Sequence, residues 1–302
     1  MSKNTILITT AIAPIIWGSS YFVTTEFLPQ GYPLTLAMLR ALPVGLLLLM
    51  FSRQLPTGSW WLKIVVLGAL NFSIFWWLLF VSAYKLPGGV AATIGAIQPL
   101  LVIFLARLFL GSTIRAFSIV AAIIGMAGVA LLLLTADAAL DHVGLMAGLG
   151  GAVSMACGTV LSKKWMSGNT TRPVSPLTFT AWQLIAGGIL LLPAAMFFEP
   201  ALPDLNAENV LGFIYLGLIG AGLTYLLWFN GLAKLSPAMI APLGFLSPVT
   251  AVLLGWIALN QNLSALQFAG AAIVLFSVWL SQISPNALTR FQLNKFDQKQ
   301  YS

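Results

Sequence analysis

From about residue 5 to about residue 283 the chain alternates long apolar runs with short breaks rich in glycine, proline or charge. Runs such as "VGLLLLM" and "AGVALLLL" are continuous, so they lack the period of two that marks a half-buried strand. Each approaches the ~20 residues that a helix needs to cross a bilayer. Ten such runs are predicted, over roughly 5–25, 33–52, 61–83, 90–110, 115–135, 143–163, 176–198, 209–232, 238–258 and 264–283. Within hydrocarbon the backbone must satisfy its own hydrogen bonds, which leaves helices or a closed barrel. Barrel strands would be shorter and alternating, so the pattern predicts an all-α integral membrane fold of ten transmembrane helices.

Composition supports that class. The chain is 59% hydrophobic and 7% charged, with a mean hydropathy of +0.96; a soluble domain carries about 25% charged residues to clothe its surface. The net charge of +7 is scattered over short loops rather than gathered into a domain, so it reads as membrane topology and not as a nucleic-acid surface. A single cysteine, Cys157, excludes an internal disulfide and a cysteine-based metal site. A single histidine, His142, leaves nothing for a multi-histidine centre. No cofactor and no metal site is expected, and with no catalytic constellation in sight neither is an enzyme.

Charge at the span ends sets direction. Arg53, Lys63, Arg107, Arg115, Lys163, Lys164, Arg172 and Lys234 fall on one side, with Lys3 and the basic tail of Arg290, Lys295 and Lys299. The other side has Lys85 alone, together with Glu26, Asp137, Asp141, Glu199, Asp204 and Glu208. The basic side is predicted to be cytoplasmic, with both termini there. The first run continues past Pro14 to about Val23, so it reads as an uncleaved span rather than a signal peptide.

The chain is written twice. "AYKLPGGVAATIGAIQP" from Ala83 and "LAKLSPAMIAPLGFLSP" from Leu232 share Lys85/Lys234, Leu86/Leu235, Ala92/Ala241, Gly95/Gly244 and Pro99/Pro248 at an offset of 149. "PLTLAMLR" from Pro33 matches "PLTFTAWQ" from Pro176 at 143, and "WGS" at Trp17 lies opposite "CGT" at Cys157 at 140. Five helices per copy force the second to enter the membrane from the opposite side. Two inverted five-helix repeats are therefore expected: residues 1–137, residues 138–285, and a cytoplasmic tail, 286–302. Inverted repeats are an architecture of alternating-access carriers, with the substrate near the midplane between the halves.

The ten spans, the five-plus-five repeat, "WG" in the first span and Gly-x-x-x-Pro in the fourth and ninth resemble the drug/metabolite transporter superfamily of EamA type. Within it the chain is similar to the YddG-type aromatic amino acid exporters. The resemblance implies a ten-helix carrier of bacterial inner membranes. Its central cavity would be lined by the first four helices of each half, with the fifth peripheral or used for dimer contact. It implies no nucleic-acid partner and leaves monomer and homodimer open.

Several residues stand out as candidate lining. Arg40 lies about 10 Å below the outer edge of the roughly 30 Å core, and no Asp or Glu occurs inside the predicted spans to neutralise it. Two readings stand: a cation satisfied by snorkelling or backbone carbonyls, and an anchor for an anionic group such as a substrate carboxylate. Its repeat counterpart is neutral, Gln183. Gln98-Pro99 and Ser247-Pro248 occupy equivalent mid-span sites, where proline frees the carbonyls of Gly95 and Gly244. They read as hinges or helix breaks offering polar groups to a cavity, or as plain structural kinks. Trp17, Trp76, Trp77, Trp182, Tyr225 and Trp228 lie at depth and together could form a pocket for flat or apolar side chains. Gly18, Gly158 and Gly188 read as sites of close helix approach.

The expected function is an alternating-access carrier exporting small amphiphilic metabolites, amino acids with aromatic or other apolar side chains. Without an intramembrane carboxylate or histidine to titrate, facilitated diffusion is favoured over a proton-coupled exporter. Drug or cation carriers and nucleotide-sugar carriers of the same superfamily are the alternatives.

Overall fold

A computed structural model describes residues 2–86, 93–133, 141–168, 174–259 and 263–282. The expected tail, 286–302, lies outside the described residues, as do Asp137 and Arg172. Ten helices among the described residues are long and apolar enough to cross a membrane: α1 Lys3–Phe27, α2 Pro33–Ser52, α3 Trp60–Ser82, α4 Thr93–Leu110, α5 Ala116–Leu133, α6 His142–Met166, α7 Pro176–Phe198, α8 Ala207–Lys234, α9 Pro237–Ala258 and α10 Ala265–Gln282. They fall on the ten apolar runs, with ends displaced by a few residues.

Local chemistry sets several of these ends. The Asp141 carboxylate accepts from the Gly144 amide at 2.8 Å and starts α6. Ser175 starts α7 ahead of Pro176, whose missing N–H costs nothing in a first turn. Asn206 and Asn209 form a reciprocal cap on α8; that cap begins the helix at Ala207, two residues before the apolar run. The start of α2 is capped from another helix. The amides of Leu34 and Thr35 donate to the two Glu199 carboxylate oxygens at 2.6 and 2.7 Å, so the end of α7 is tied to the start of α2.

The helices pack in a pattern that repeats. α2 packs along α7 and α5 along α10. The pairs α3–α6, α4–α6 and α3–α7 recur as α8–α1, α9–α1 and α8–α2. Each of these pairings maps onto another, or onto itself, when helix numbers shift by five. At the α2–α7 crossing a Cβ on Gly188 would meet the Leu42 backbone at 2.9 Å, so only glycine admits this approach. Gly18 plays the same part between α1 and α9, where its missing Cβ makes way for the Ser247 carbonyl and Thr250. The main core lies between α1, α2, α3, α6, α7 and α8 and takes in Ile240 and Leu243 at the start of α9; a smaller one lies between α4, α5, α9 and α10.

Two spans loosen at matching places. The α3 helix passes through a π-helical stretch, Ala69–Ser73, and α8 through another, Tyr215–Leu223; at the 149-residue offset the first falls inside the second. Such stretches break the regular bonding ladder and are often found at functional sites.

Candidate functional site

Arg40 lies between helices rather than at a helix end. Its Nη2 donates to the Gly220 carbonyl of α8 at 2.6 Å and to the Ser20 hydroxyl of α1 at 3.5 Å, and its Cζ stands 5.2 Å from the centre of the Trp76 ring of α3. Four helices thus converge on one half-buried guanidinium. Carbonyl satisfaction is what the structure shows for this cation.

The π-helical stretch of α8 makes that carbonyl accessible. The Thr224 amide bonds the carbonyls of Ile219 and Ala221 and passes over that of Gly220. Gly220 O accepts instead from the Thr224 hydroxyl, at 2.8 Å, and from Arg40. The same hydroxyl accepts from Trp17 Nε1 at 2.9 Å, so Trp17, Thr224, Gly220 and Arg40 form one chain of bonds across α1, α8 and α2. Nearby, Ser19 and Tyr215 share a hydrogen bond of 2.6 Å.

Aromatic rings wall this chain. The Trp17 ring lies 5.0 Å from Tyr225 and 5.2 Å from Trp228, and Phe72 lies 4.6 Å from Tyr225 and 5.2 Å from Trp76. The tilted and edge-on arrangements are those that favour aromatic pairs. The stack continues through Phe229, Phe179 and Trp60 to Trp182. Trp182 therefore stands at the far end of this column rather than beside Arg40, and its Nε1 is committed to the Gln54 carbonyl at 2.7 Å. Trp77 does not join the group. It is 53% exposed, on the outer surface of the bundle, because it follows Trp76 by one residue and so points about 100° away around the helix.

Both proline motifs stand at real interruptions. In α4 the amides of Ala96 and Ile97 bond three residues back, to Thr93 and Ile94, and a fresh helix starts at Gln98. In α9 a 3₁₀ stretch, Ala241–Phe245, precedes the helix that holds Pro248. Among the described residues, a Cβ built on Gly95 or on Gly244 meets nothing within 4 Å, so both breaks border open space there. The Gln98 side chain is half-buried with no hydrogen-bonding partner among the described residues. The Ser247 carbonyl rests on Gly18, one residue from Trp17, which ties the α9 break to the Arg40 group.

Gln183 is placed elsewhere. It is 0% exposed, its Oε1 accepts from Asn71 Nδ2 at 2.7 Å, and Asn71 Nδ2 also reaches the Ser162 hydroxyl at 3.2 Å. The side chain expected to line a cavity is locked between α3, α6 and α7. Asn71 was absent from the sequence-based candidates, although a lone amide in an apolar run is a signal that could have found it. Gly220 left no side-chain signal at all, because the group that bonds is backbone.

The chain matches the family model described as EamA-like transporter family twice, over residues 4–134 and 142–282. Protein PecM of Dickeya dadantii (strain 3937) is 44% identical over 273 residues, covering 89% of this chain and 90% of that protein. The inner membrane transporter YedA of Escherichia coli (strain K12) is 30% identical over 274 residues, covering 88% of this chain and 87% of its own. A probable amino-acid metabolite efflux pump from the same strain is 25% identical over 281 residues, covering 88% of this chain and 91% of that one. A crystal structure shares the fold with a TM-score of 0.79 over 93% of this chain and 98% of that chain, at 19% identity.

Proposed function

The chain belongs to the EamA-like transporter family and is a membrane transporter of that type; from this premise we propose that it exports small amphiphilic metabolites, amino acids with aromatic or other apolar side chains, across a bacterial inner membrane by facilitated alternating access. The observation that carries the substrate class is the Arg40 group. One interhelical guanidinium stands against the Trp76 ring of α3, which is linked through Tyr225 of α8 to Trp17 of α1; a cation beside an aromatic cluster suits a carboxylate joined to an apolar side chain. The amino-acid metabolite efflux pump among the relatives points the same way.

In this proposal the two halves are inverted copies, residues 1–137 and 138–285, and rock about the α2–α7 contact. The recurrence of packing pairs under a five-helix shift supports the symmetry, and the breaks at Pro99 and Pro248 are the bending points. Arg40 holds the carboxylate, Gln98 and Ser247 offer hydrogen bonds from the breaks, and Trp17, Trp76 and Tyr225 shape the side-chain pocket. Both termini are placed on the cytoplasmic side in this proposal, a reading supported by the Lys and Arg distribution at the span ends.

The test is flux of radiolabelled phenylalanine, tryptophan, threonine and methionine in proteoliposomes of the purified protein, with and without a pH gradient. Saturable flux without a gradient is expected. Folded protein that moves none of the four would refute the substrate class, and flux only under a gradient would refute facilitation.

A further inference from the structure

The bond between Arg40 and Gly220 joins two groups that together complement an α-amino acid. A guanidinium is a bidentate donor for a carboxylate. A carbonyl with its lone pairs turned off the helix ladder is an acceptor for an ammonium. Here the two satisfy each other at 2.6 Å, across the interface of α2 and α8. Resting on the amino acid carrier reading, we propose that this bond is the substrate-free form of a zwitterion subsite. The substrate enters it by exchange: its carboxylate takes Arg40 and its ammonium takes the carbonyl of Gly220.

Three observations carry this beyond the carboxylate anchor alone. The Thr224 amide passes over Gly220 O, so the π-helical stretch presents that carbonyl sideways to α2. Residue 220 has no side chain, and a Cβ there would stand 3.6 Å from Arg40 Nη2, so the glycine keeps the space beside the acceptor clear. The Trp17 and Trp76 rings flank the same two groups, Trp17 through Thr224 and Trp76 by standing against the guanidinium.

The exchange also predicts an asymmetry. A substrate lacking the carboxylate takes the carbonyl and leaves an interhelical guanidinium without its 2.6 Å acceptor, which is costly for a charge in a membrane protein. A substrate lacking the ammonium leaves only a carbonyl that still accepts from Thr224, which costs less. Selectivity should therefore run from zwitterion to acid to amine.

The experiment is competition against saturable flux of labelled phenylalanine in proteoliposomes of the full-length protein. The competitors are unlabelled phenylalanine, 3-phenylpropionate and phenethylamine. The expected result is that both single-charge analogues inhibit roughly tenfold or more weakly than phenylalanine, the amine most weakly. Gly220→Ala, whose added methyl makes only ordinary contacts in the substrate-free form, should weaken phenylalanine severalfold more than 3-phenylpropionate. Arg40→Gln should erase the advantage of phenylalanine over phenethylamine.

Equal inhibition by all three compounds in the unaltered protein would overturn the zwitterion subsite while phenylalanine flux keeps the carrier reading intact. That comparison needs no variant to fold. Loss of the 3-phenylpropionate signal in parallel with phenylalanine in Gly220→Ala would likewise overturn the role of the carbonyl. Absence of saturable flux for phenylalanine, tryptophan, threonine and methionine would overturn the carrier reading and this inference with it.

Discussion

Asn71 donates to Gln183 across 2.7 Å at the place in one half that Gly220 and Arg40 hold in the other. Gln183 is the repeat partner of Arg40 and Asn71 is that of Gly220, at the offsets of 143 and 149 read from the sequence. Each bond ties the second helix of one half to the third helix of the opposite half, at a π-helical stretch. The neutral bond is wholly buried and also reaches Ser162. The charged one joins a half-buried guanidinium to a buried carbonyl, beside the Trp76 ring. The matching contacts differ in chemistry: two neutral amides in one copy, a cation on a backbone carbonyl in the other.

The buried pair should behave as a structural unit. Asn71→Leu or Gln183→Leu leaves a buried amide without its partner, so each should lower stability by about 1–2 kcal/mol. Because each single change already destroys the bond, the double variant should lose less than the sum, by roughly 0.5–1.5 kcal/mol. Equilibrium unfolding in mixed micelles measures the cycle. Strict additivity would mean that the amides do not support each other.

Helix approach and open space predict opposite responses to the same methyl group. Gly18→Ala drives a Cβ into the Ser247 carbonyl and Thr250, where backbone on both sides prevents yielding. A loss of about 1–3 kcal/mol follows from overpacking, seen as a lower apparent Tm in detergent. Gly244→Ala meets nothing within 4 Å, so its apparent Tm should stay near that of the unaltered protein. Equal losses in the two variants would show that α9 does not border open space at its break.

Much of this arrangement was legible beforehand, and the exceptions share a cause. Ten continuous apolar runs fix ten spans because no other element satisfies their backbone in lipid. Arg40 announces itself as the one charge in its run, and Pro99 and Pro248 mark breaks where each follows a glycine by four residues, whereas α1, α2 and α7 run unbroken through Pro14, Pro43 and Pro193. A mid-span amide, by contrast, reads the same whether it faces a cavity or another helix. That is why Gln183 was expected in the path and is found sealed against Asn71, a partner 112 residues away. The apolar runs are also apolar all round, so nothing in the pattern separates Trp76, 4% exposed, from Trp77, 53% exposed.

Thr224 is the joint between ring and cation. Its hydroxyl accepts from Trp17 Nε1 and donates to the carbonyl that holds Arg40. Thr224→Val keeps the shape, strips Trp17 of its acceptor and should cost about 1–2 kcal/mol in a buried setting. Trp17→Phe should cost less in that background than in the unaltered protein, by about the energy of the bond already lost, since the loss of ring packing against Tyr225 and Trp228 is common to both. A Thr224→Val variant that keeps full stability and an unchanged phenylalanine KM would remove the chain of bonds from the site.

Glu199 distinguishes a structural clamp from a coupling group. It lies at the end of α7, and both its oxygens are occupied by the Leu34 and Thr35 amides. These amides belong to the first turn of α2, the helix that carries Arg40. A carboxylate at a helix start gains from the exposed amides and from the positive end of the dipole, together about 1–2 kcal/mol. Glu199→Ala should lose that amount. Glu199→Gln retains one acceptor oxygen without the charge, so it should lose roughly half. If the carboxylate instead carried a proton through the cycle, the order would reverse: Glu199→Gln would keep its stability and lose any response of flux to a pH gradient. The clamp predicts a graded fall in stability across Gln and Ala, with flux in both variants no more sensitive to a pH gradient than that of the unaltered protein. Unfolding and gradient-dependent flux measured on the same preparations separate the two, and a stable Glu199→Gln with altered gradient dependence would establish proton coupling at the C-terminal end of α7.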